Sequence, residues 1–126
     1  VHFLGRRSDL GAVLRDTVLT PGRQLPTADY IEALEVGEKF RAQLDDIFGS
    51  VDVLLTPSAA GEAPEGFTST GDPRFNSPWT LSWAPCVTLP AGKGPKGLPL
   101  GIQLVGQRFS DEKLLDAAAW VEKHLN

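Results

Sequence analysis

Residues 97–106 have the sequence GLPLGIQLVG and predict a β-strand that is covered on both faces. Leu100, Ile102 and Leu104 alternate with smaller or polar residues, and this alternation places the three apolar side chains on one face of a strand. The other face carries a glycine, a glutamine and a valine, which would let a second layer pack closely. We therefore predict a strand over residues 100–105 within a layered α/β structure.

Two shorter strands are predicted upstream of this one. Residues 51–55 (VDVLL) are apolar apart from Asp52 and contain two valines, and residues 86–89 (CVTL) are similar in composition. A predicted helix separates these two strands, which is typical of a parallel pair. The glycine-rich connection 91–99 contains no helix and favours an antiparallel pair with the strand at 100–105. The sequence therefore predicts a small mixed sheet flanked by helices.

Apolar residues recur at helical spacing in three longer segments. The clearest helix is predicted over residues 28–48, with Thr27 as its N-cap. The last helix is predicted to begin at Ser110, which is followed by two acidic residues. A shorter helix is predicted over residues 8–19 and is expected to end at Pro21-Gly22.

These elements indicate an α/β fold in a single domain over residues 1–126. Its first part, residues 1–48, is predicted to be helical, and residues 51–126 are predicted to contain the sheet and the later helices. A chain of 126 residues is about one domain long and can bury one core.

Composition restricts the partners and the location of the protein. The apolar fraction of 41% and the charged fraction of 22% are ordinary for a soluble globular protein. A formal net charge of −4 argues against nucleic acid or an anionic membrane as the main partner. Because no apolar run reaches the ~20 residues of a membrane span and no signal peptide is evident, we expect a cytoplasmic protein without membrane contact.

Isolated reactive side chains give little support for metal or nucleophilic chemistry. His2 and His124 are the only histidines and stand near opposite ends of the sequence, so a shared metal site is not expected. Cys86 is the only cysteine, and its place in a predicted buried strand favours a core thiol over a nucleophile. Trp79 and Trp83 lie in a short predicted helix, where either core packing or a pocket wall would explain them.

The loop over residues 57–75 is the strongest candidate for function. It is long and has no periodic pattern, and such loops in compact domains are usually functional or disordered. Its end delivers an acid, a base, an amide and aromatic side chains to a short helix that begins near Asn76, and ligand sites gather at loops of this kind. A capped turn with an Asp-Arg surface pair is the alternative interpretation.

Several blocks of the sequence resemble the amidase signature family. They occur in the family's order and spacing and cover nearly the whole chain, and GLPLGIQLVG is the most specific of them. The blocks are, in chain order, TADY at 27–30, DVLLTP at 52–57, FNSPWTLS at 75–82, VTLP at 87–90, GLPLGIQLVG at 97–106 and EKLL at 112–115.

The resemblance implies an α/β/α sandwich and amide-bond hydrolysis through a serine, a second serine in cis and a lysine, with no metal and no other cofactor. In the family these groups lie in a Gly/Ser-rich signature and in a lysine motif before it, and this sequence contains neither. We therefore carry over no catalytic residue and expect a C-terminal segment that is not catalytic without the missing N-terminal amidase portion.

The segment does not choose among the family's activities. The parent would act on a small amide, either as a simple amidase or as the glutamyl-tRNA amidotransferase component, the A subunit, that releases ammonia from glutamine. The alternative to an enzyme is a non-catalytic interaction or scaffold domain with the same fold. Because the missing portion would cover part of the sheet, we also expect exposed apolar surface and a homo-oligomer in the isolated chain.

The resemblance also suggests which residues lie beside the substrate pocket. In the family, the loop before the Asn-x-Pro helix has that position, and Asp72, Arg74, Phe75, Asn76 and Trp79 hold it here. One departure from the family pattern follows shortly after, because residues 83–85 are Trp-Ala-Pro where Gly-Leu-Pro is usual.

Overall fold

The computed structural model describes residues 11–125, and its helices and sheet confirm the predicted α/β class. The chain divides into two compact units, one ending at Val36 and one beginning at Gly37. Within the described residues, no helix combines the length and the apolar character needed to cross a membrane. The elements are, in chain order, α1 (Ala12–Leu14), a π-helical turn (Arg15–Leu19), α2 (Thr20–Gln24), α3 (Thr27–Phe48), β1 (Leu54–Pro57), a 3-10 turn (Pro73–Phe75), α4 (Ser77–Ser82), β2 (Cys86–Lys93), β3 (Pro99–Val105) and α5 (Asp111–Leu125).

The described part of the first unit is helical. Because α1, the π turn and α2 are contiguous from Ala12 to Gln24, the predicted helix end at Pro21-Gly22 is wrong. Pro21 lies in the first turn of α2, where the missing backbone N–H costs least. The helix ends instead at Leu25, whose extended backbone is the conformation that a following proline favours. The predicted helix start at residues 8–10 lies outside the described residues.

Helix α3 confirms the predicted long helix to within one residue at its start. Leu44 and Phe48 near its C-terminal end are buried, as is Gly37. A Cβ added to Gly37 would meet the Leu81 side chain at an ordinary contact distance of 3.5 Å. Helix α3 is therefore closely packed at this glycine, and the packing leaves space for little more than a methyl group.

Strand β3 is the central strand of a three-stranded sheet with the order β1-β3-β2. It pairs antiparallel with β1, where Leu55 lies opposite Leu104, and antiparallel with β2, where Thr88 lies opposite Gln103. Strands β1 and β2 therefore point the same way, as predicted, but they do not pair. The expected mixed pairing is wrong for the described strands, because the hairpin that follows β2 returns the chain between β2 and β1.

Both faces of β3 are covered, as its alternating pattern predicted. Leu104 packs with Leu114 and Ala118 of α5 on one face, and Val105 packs with Leu44 and Phe48 of α3 on the other. Leu104, Val105 and Leu114 are each exposed by no more than 2%. Since burying a leucine or valine contributes about 2 kcal/mol, this central strand carries much of the stability of the second unit.

Trp83 follows α4 with a left-handed backbone, at φ 58° and ψ 27°. Its indole ring lies over the guanidinium group of the buried Arg41, 4.3 Å from the ring centroid, and Arg41 donates a hydrogen bond to the Leu81 carbonyl at 2.8 Å. Glycine adopts this backbone without the steric cost that a side chain adds. Trp83, which stands where the family usually has glycine, therefore holds a strained backbone conformation. The cation–π contact with Arg41 offsets part of the cost of this strain.

We expect Trp83→Gly to be more stable than Trp83→Ala by about 1 kcal/mol, because both variants lose the contact with Arg41 and only glycine relieves the backbone. Urea denaturation of the two variants measures the difference. A Trp83→Ala protein as stable as Trp83→Gly would show that the left-handed backbone stores no strain.

Candidate functional site

A cleft of about 590 Å³ opens where β1 ends and β3 begins. A volume in this range accommodates a small-molecule substrate or part of a larger one. Its lining is formed by the loop after β1, by the start of α4 and by the start of β3. The lining residues are 58–64, 70–73, Asn76, Pro99 and Gly101.

The contact between Ser58 and Gly101 forms the floor of the cleft. The backbone N–H and the hydroxyl of Ser58 both donate to the Gly101 carbonyl, at 3.1 Å and 3.0 Å. A Cβ built on Gly101 would lie 2.6 Å from Ser58 Oγ and 2.8 Å from Thr88 Cγ2. Because these distances are shorter than any normal contact, glycine is required for the loop to lie this close to β3.

Two amide side chains hold the end of the loop over the sheet. Asn76 Nδ2 donates to the Ser58 carbonyl at 3.2 Å and so joins the start of α4 to the end of β1. Gln103 is 2% exposed, and its Nε2 donates to the Phe75 carbonyl at 3.0 Å. A buried amide that satisfies a backbone carbonyl fixes a loop, since leaving either group unpaired is costly.

Asp72 and Arg74 form the capped turn that was the alternative interpretation of this segment, and Asp72 lines the cleft as well. Asp72 Oδ1 accepts from the Arg74 backbone N–H at 2.9 Å, and Oδ2 accepts from Arg74 Nε at 2.8 Å. The side-chain hydrogen bonds from Arg74, and after them its backbone N–H, lower the pKa of the Asp72 carboxyl. Both side chains are solvent-exposed, so this pair adds little to stability.

The Asp72 carboxyl is expected to titrate below the usual aspartate range. Its pKa is lower in the folded protein than in the unfolded chain. The carboxylate therefore adds to the free energy of unfolding above the unfolded pKa, and this stabilisation is lost as the pH falls through the folded pKa. Carboxyl-carbon NMR titration should show an upward shift of the Asp72 pKa in Arg74→Ala and none in the control Arg23→Ala. An unchanged Asp72 pKa in Arg74→Ala would contradict the pairing.

The structure brings only part of the predicted pocket set to the cleft. Asp72 and Asn76 line it. Arg74, Phe75 and Trp79 are not among the lining residues: Arg74 binds Asp72, Phe75 offers its carbonyl to Gln103, and Trp79 packs against the cluster around Val105. The part that these three take in substrate choice stays a prediction.

Among the other reactive side chains, Cys86 is exposed, so the predicted core thiol is wrong. Cys86 begins the edge strand β2, which has no neighbour on its outer side within the described sheet. The protein atoms around the thiol nonetheless raise its pKa through burial, which keeps it protonated and weakly nucleophilic.

His124 Nδ1 lies 2.7 Å from the Trp120 carbonyl, and His2 lies outside the described residues. In residues 11–125, no three histidine, cysteine or acidic side chains come close enough together to hold a metal ion.

The sequence model of the Amidase family matches residues 5–115. The chain belongs to the amidase family.

Similar proteins agree with this family assignment. The glutamyl-tRNA(Gln) amidotransferase A subunit of Parvibaculum lavamentivorans is 35% identical over 129 residues, which cover 94% of this chain and 26% of that protein. The crystal structure of an amidase superposes with a TM-score of 0.73 at 28% identity, covering 93% of this chain and 29% of the other. The glutamyl-tRNA(Gln) amidotransferase A subunit of Thermotoga maritima gives a TM-score of 0.58 at 27% identity, covering 83% of this chain and 26% of that one.

This amidase-family chain therefore spans about a quarter of the length of the curated relatives that it matches. The match extends along nearly all of the chain, and the cleft is formed within the matched residues.

Sequence reasoning missed three residues that shape the cleft, namely Ser58, Glu62 and Gly101. Gly101 stands in the family-like block, but the approach of Ser58 and Thr88 from other segments explains why a glycine is needed. Glu62 accepts hydrogen bonds from backbone groups 34 and 36 residues away, and no local pattern in the sequence marks such a contact.

Proposed function

We propose that this chain is the C-terminal part of an amide-bond hydrolase, in which it builds one wall of the substrate cleft and supplies no catalytic group. The observation that carries the proposal is the cleft at the end of the sheet in a chain of the amidase family. The length of the match, 26% of the Parvibaculum relative, agrees with a segment of a larger enzyme.

The lining of the cleft supports a wall rather than a catalytic centre. Among the described residues that line it, the charged side chains are Glu62 and Asp72, and no lysine or histidine is present to activate a hydroxyl group. The Ser58 hydroxyl in the lining is bound to the Gly101 carbonyl. The serine-lysine chemistry implied by the family resemblance would therefore come from outside this segment.

A glutamyl-tRNA amidotransferase component is the second candidate, favoured by the 35% identity to bacterial A subunits of that enzyme. Ammonia release by the longer protein, from a panel of small amides and from glutamine, separates the two candidates. A simple amidase would release ammonia from several small amides. An amidotransferase component would prefer glutamine and would require its partner subunits and charged tRNA for the transfer step.

Exposed apolar side chains support the idea that the segment has a covering partner. Leu55, Phe109 and Trp120 are exposed by 63%, 93% and 63%. We propose that the remaining three quarters of the hydrolase cover such surface in the longer protein, and that copies of the isolated chain associate through it. Light scattering over a range of concentrations is expected to show a dimer or larger species, and a monomer at every concentration would contradict self-association.

A further inference from the structure

Residues 59–64 of the loop over residues 59–68 form one wall of the cleft, and a single residue of this loop is hydrogen-bonded to a distant part of the chain. The lining residues Ala59, Ala60, Gly61 and Ala63 are small and offer little surface for packing. In the part of the chain that the structure describes, Glu62 is the one residue between Ser58 and Ser69 that makes a hydrogen bond outside the loop. The position of this wall therefore depends on Glu62.

Glu62 binds the turn that connects β2 to β3. Its Oε1 accepts from the backbone N–H groups of Lys96 and Leu98, both at 2.9 Å, and its Oε2 lies 3.2 Å from the Lys96 nitrogen. A carboxylate that accepts two backbone N–H bonds makes a stronger contact than a neutral pair. The bond joins the cleft wall to a hairpin that is already fixed by the sheet.

Gly94 makes room for this contact. A Cβ built on Gly94 would lie 2.5 Å from the Glu62 side chain, at Cγ, Cδ and Oε1. Gly94 is not among the glycines with a positive φ, so an alanine could adopt its backbone conformation. The glycine is therefore explained by the Glu62 side chain, and Gly94→Ala should displace that side chain.

We infer that Glu62 is a positioning residue of the substrate cleft, which fixes the width of the cleft by binding the wall loop to the β2–β3 turn. This inference rests on the proposed function of the cleft. Glu62 does not carry chemistry in it: loss of the contact releases the loop and weakens substrate binding, while the reacting groups stay in place.

The contact itself is tested in this chain by amide hydrogen exchange. In Glu62→Ala, exchange at Lys96 and Leu98 is expected to become faster by about tenfold or more, as for the loss of a charge-assisted hydrogen bond. Glu65→Ala removes a carboxylate from the same loop and is expected to leave both amides unchanged. Glu62→Gln, which keeps one acceptor oxygen, is expected to restore much of the protection, whereas Glu62→Asp is one methylene too short.

Gly94→Ala provides an independent route to the same state. It is expected to accelerate hydrogen exchange at the Lys96 and Leu98 amides as Glu62→Ala does. The double variant is expected to exchange little faster than either single variant, because both substitutions remove the same contact. Additive effects, or unchanged exchange in Glu62→Ala, would overturn the inference.

The link to the cleft is tested in the longer hydrolase. Glu62→Ala is expected to raise KM for a small amide several-fold and to leave kcat unchanged, which marks a loss of binding rather than of chemistry. A lower kcat with an unchanged KM would overturn the positioning role. If the wild-type longer protein hydrolyses no amide, the proposed function fails, and the exchange measurements still decide whether Glu62 holds the loop.

Discussion

Leu104→Ala is expected to lower the free energy of unfolding by about 3 kcal/mol, because it removes a fully buried side chain from the centre of the core. Leu104 is 1% exposed and packs against Leu114 and Ala118 at the centre of the sheet. Its removal leaves a cavity between β3 and α5 that the rigid sheet cannot close. Urea denaturation followed by circular dichroism gives the change in midpoint.

Leu55→Ala is the matched control for this substitution. Leu55 lies directly opposite Leu104 in the neighbouring strand but is 63% exposed. The same chemical change is therefore expected to cost less than about 1 kcal/mol. Equal losses in the two variants would mean that β3 is not the centre of the core.

Gly101→Ala is expected to destabilise the protein by about 2 kcal/mol through overpacking. The new Cβ would stand 2.6 Å from Ser58 Oγ and 2.8 Å from Thr88 Cγ2, so the Ser58 and Thr88 side chains or the backbone that carries them would have to shift. Because Ser58 and Gly101 form the cleft floor, we also expect changed NMR chemical shifts at Asn76, which binds the Ser58 carbonyl.

Gly22→Ala is the control for the glycine substitution. A Cβ at Gly22 would meet no atom within 4 Å, and the residue lies in helix α2, so alanine is expected to be neutral or stabilising by up to about 1 kcal/mol. A Gly101→Ala protein as stable as the wild type would contradict the close approach of Ser58 to β3.

Local patterns in the sequence predicted the elements of the fold but not all of their bounds or pairing. The strand predicted at 51–55 lies at Leu54–Pro57, and the strand predicted at 86–89 extends to Lys93. The alternation around Leu104 predicted both covered faces of β3, and the apolar periodicity predicted α3 and α5. The direction of β1 relative to β2 also followed from the helix between them. That β3 lies between these two strands did not follow, since the order of strands is set by packing between segments distant in sequence. Cys86 was misjudged for the same reason, because an edge strand has the same composition as a central one.

The sequence indicates which candidate residues lie together where they are adjacent along the chain, and not where they depend on distant contacts; their role at a substrate site stays a prediction. Asp72 and Asn76 were identified from the acid, base and amide gathered before α4, and both line the cleft. Glu62 and Gly101 do not stand out in the sequence, because Glu62 is explained by its bonds to the backbone of Lys96 and Leu98, and Gly101 by the approach of Ser58 and Thr88. Trp83 was recognised as unusual from the family pattern, and the left-handed backbone supplies the reason.

We propose that this chain contributes a cleft wall to an amide hydrolase and no catalytic group. Ammonia release from a panel of small amides that includes glutamine tests it directly, measured on the 126-residue chain and on the longer hydrolase that we propose contains it. We predict release by the longer protein and none by the isolated chain. Ammonia release by the isolated chain would contradict the claim and would require a nucleophile within it, with Cys86 and the serines of residues 68–82 to be tested first.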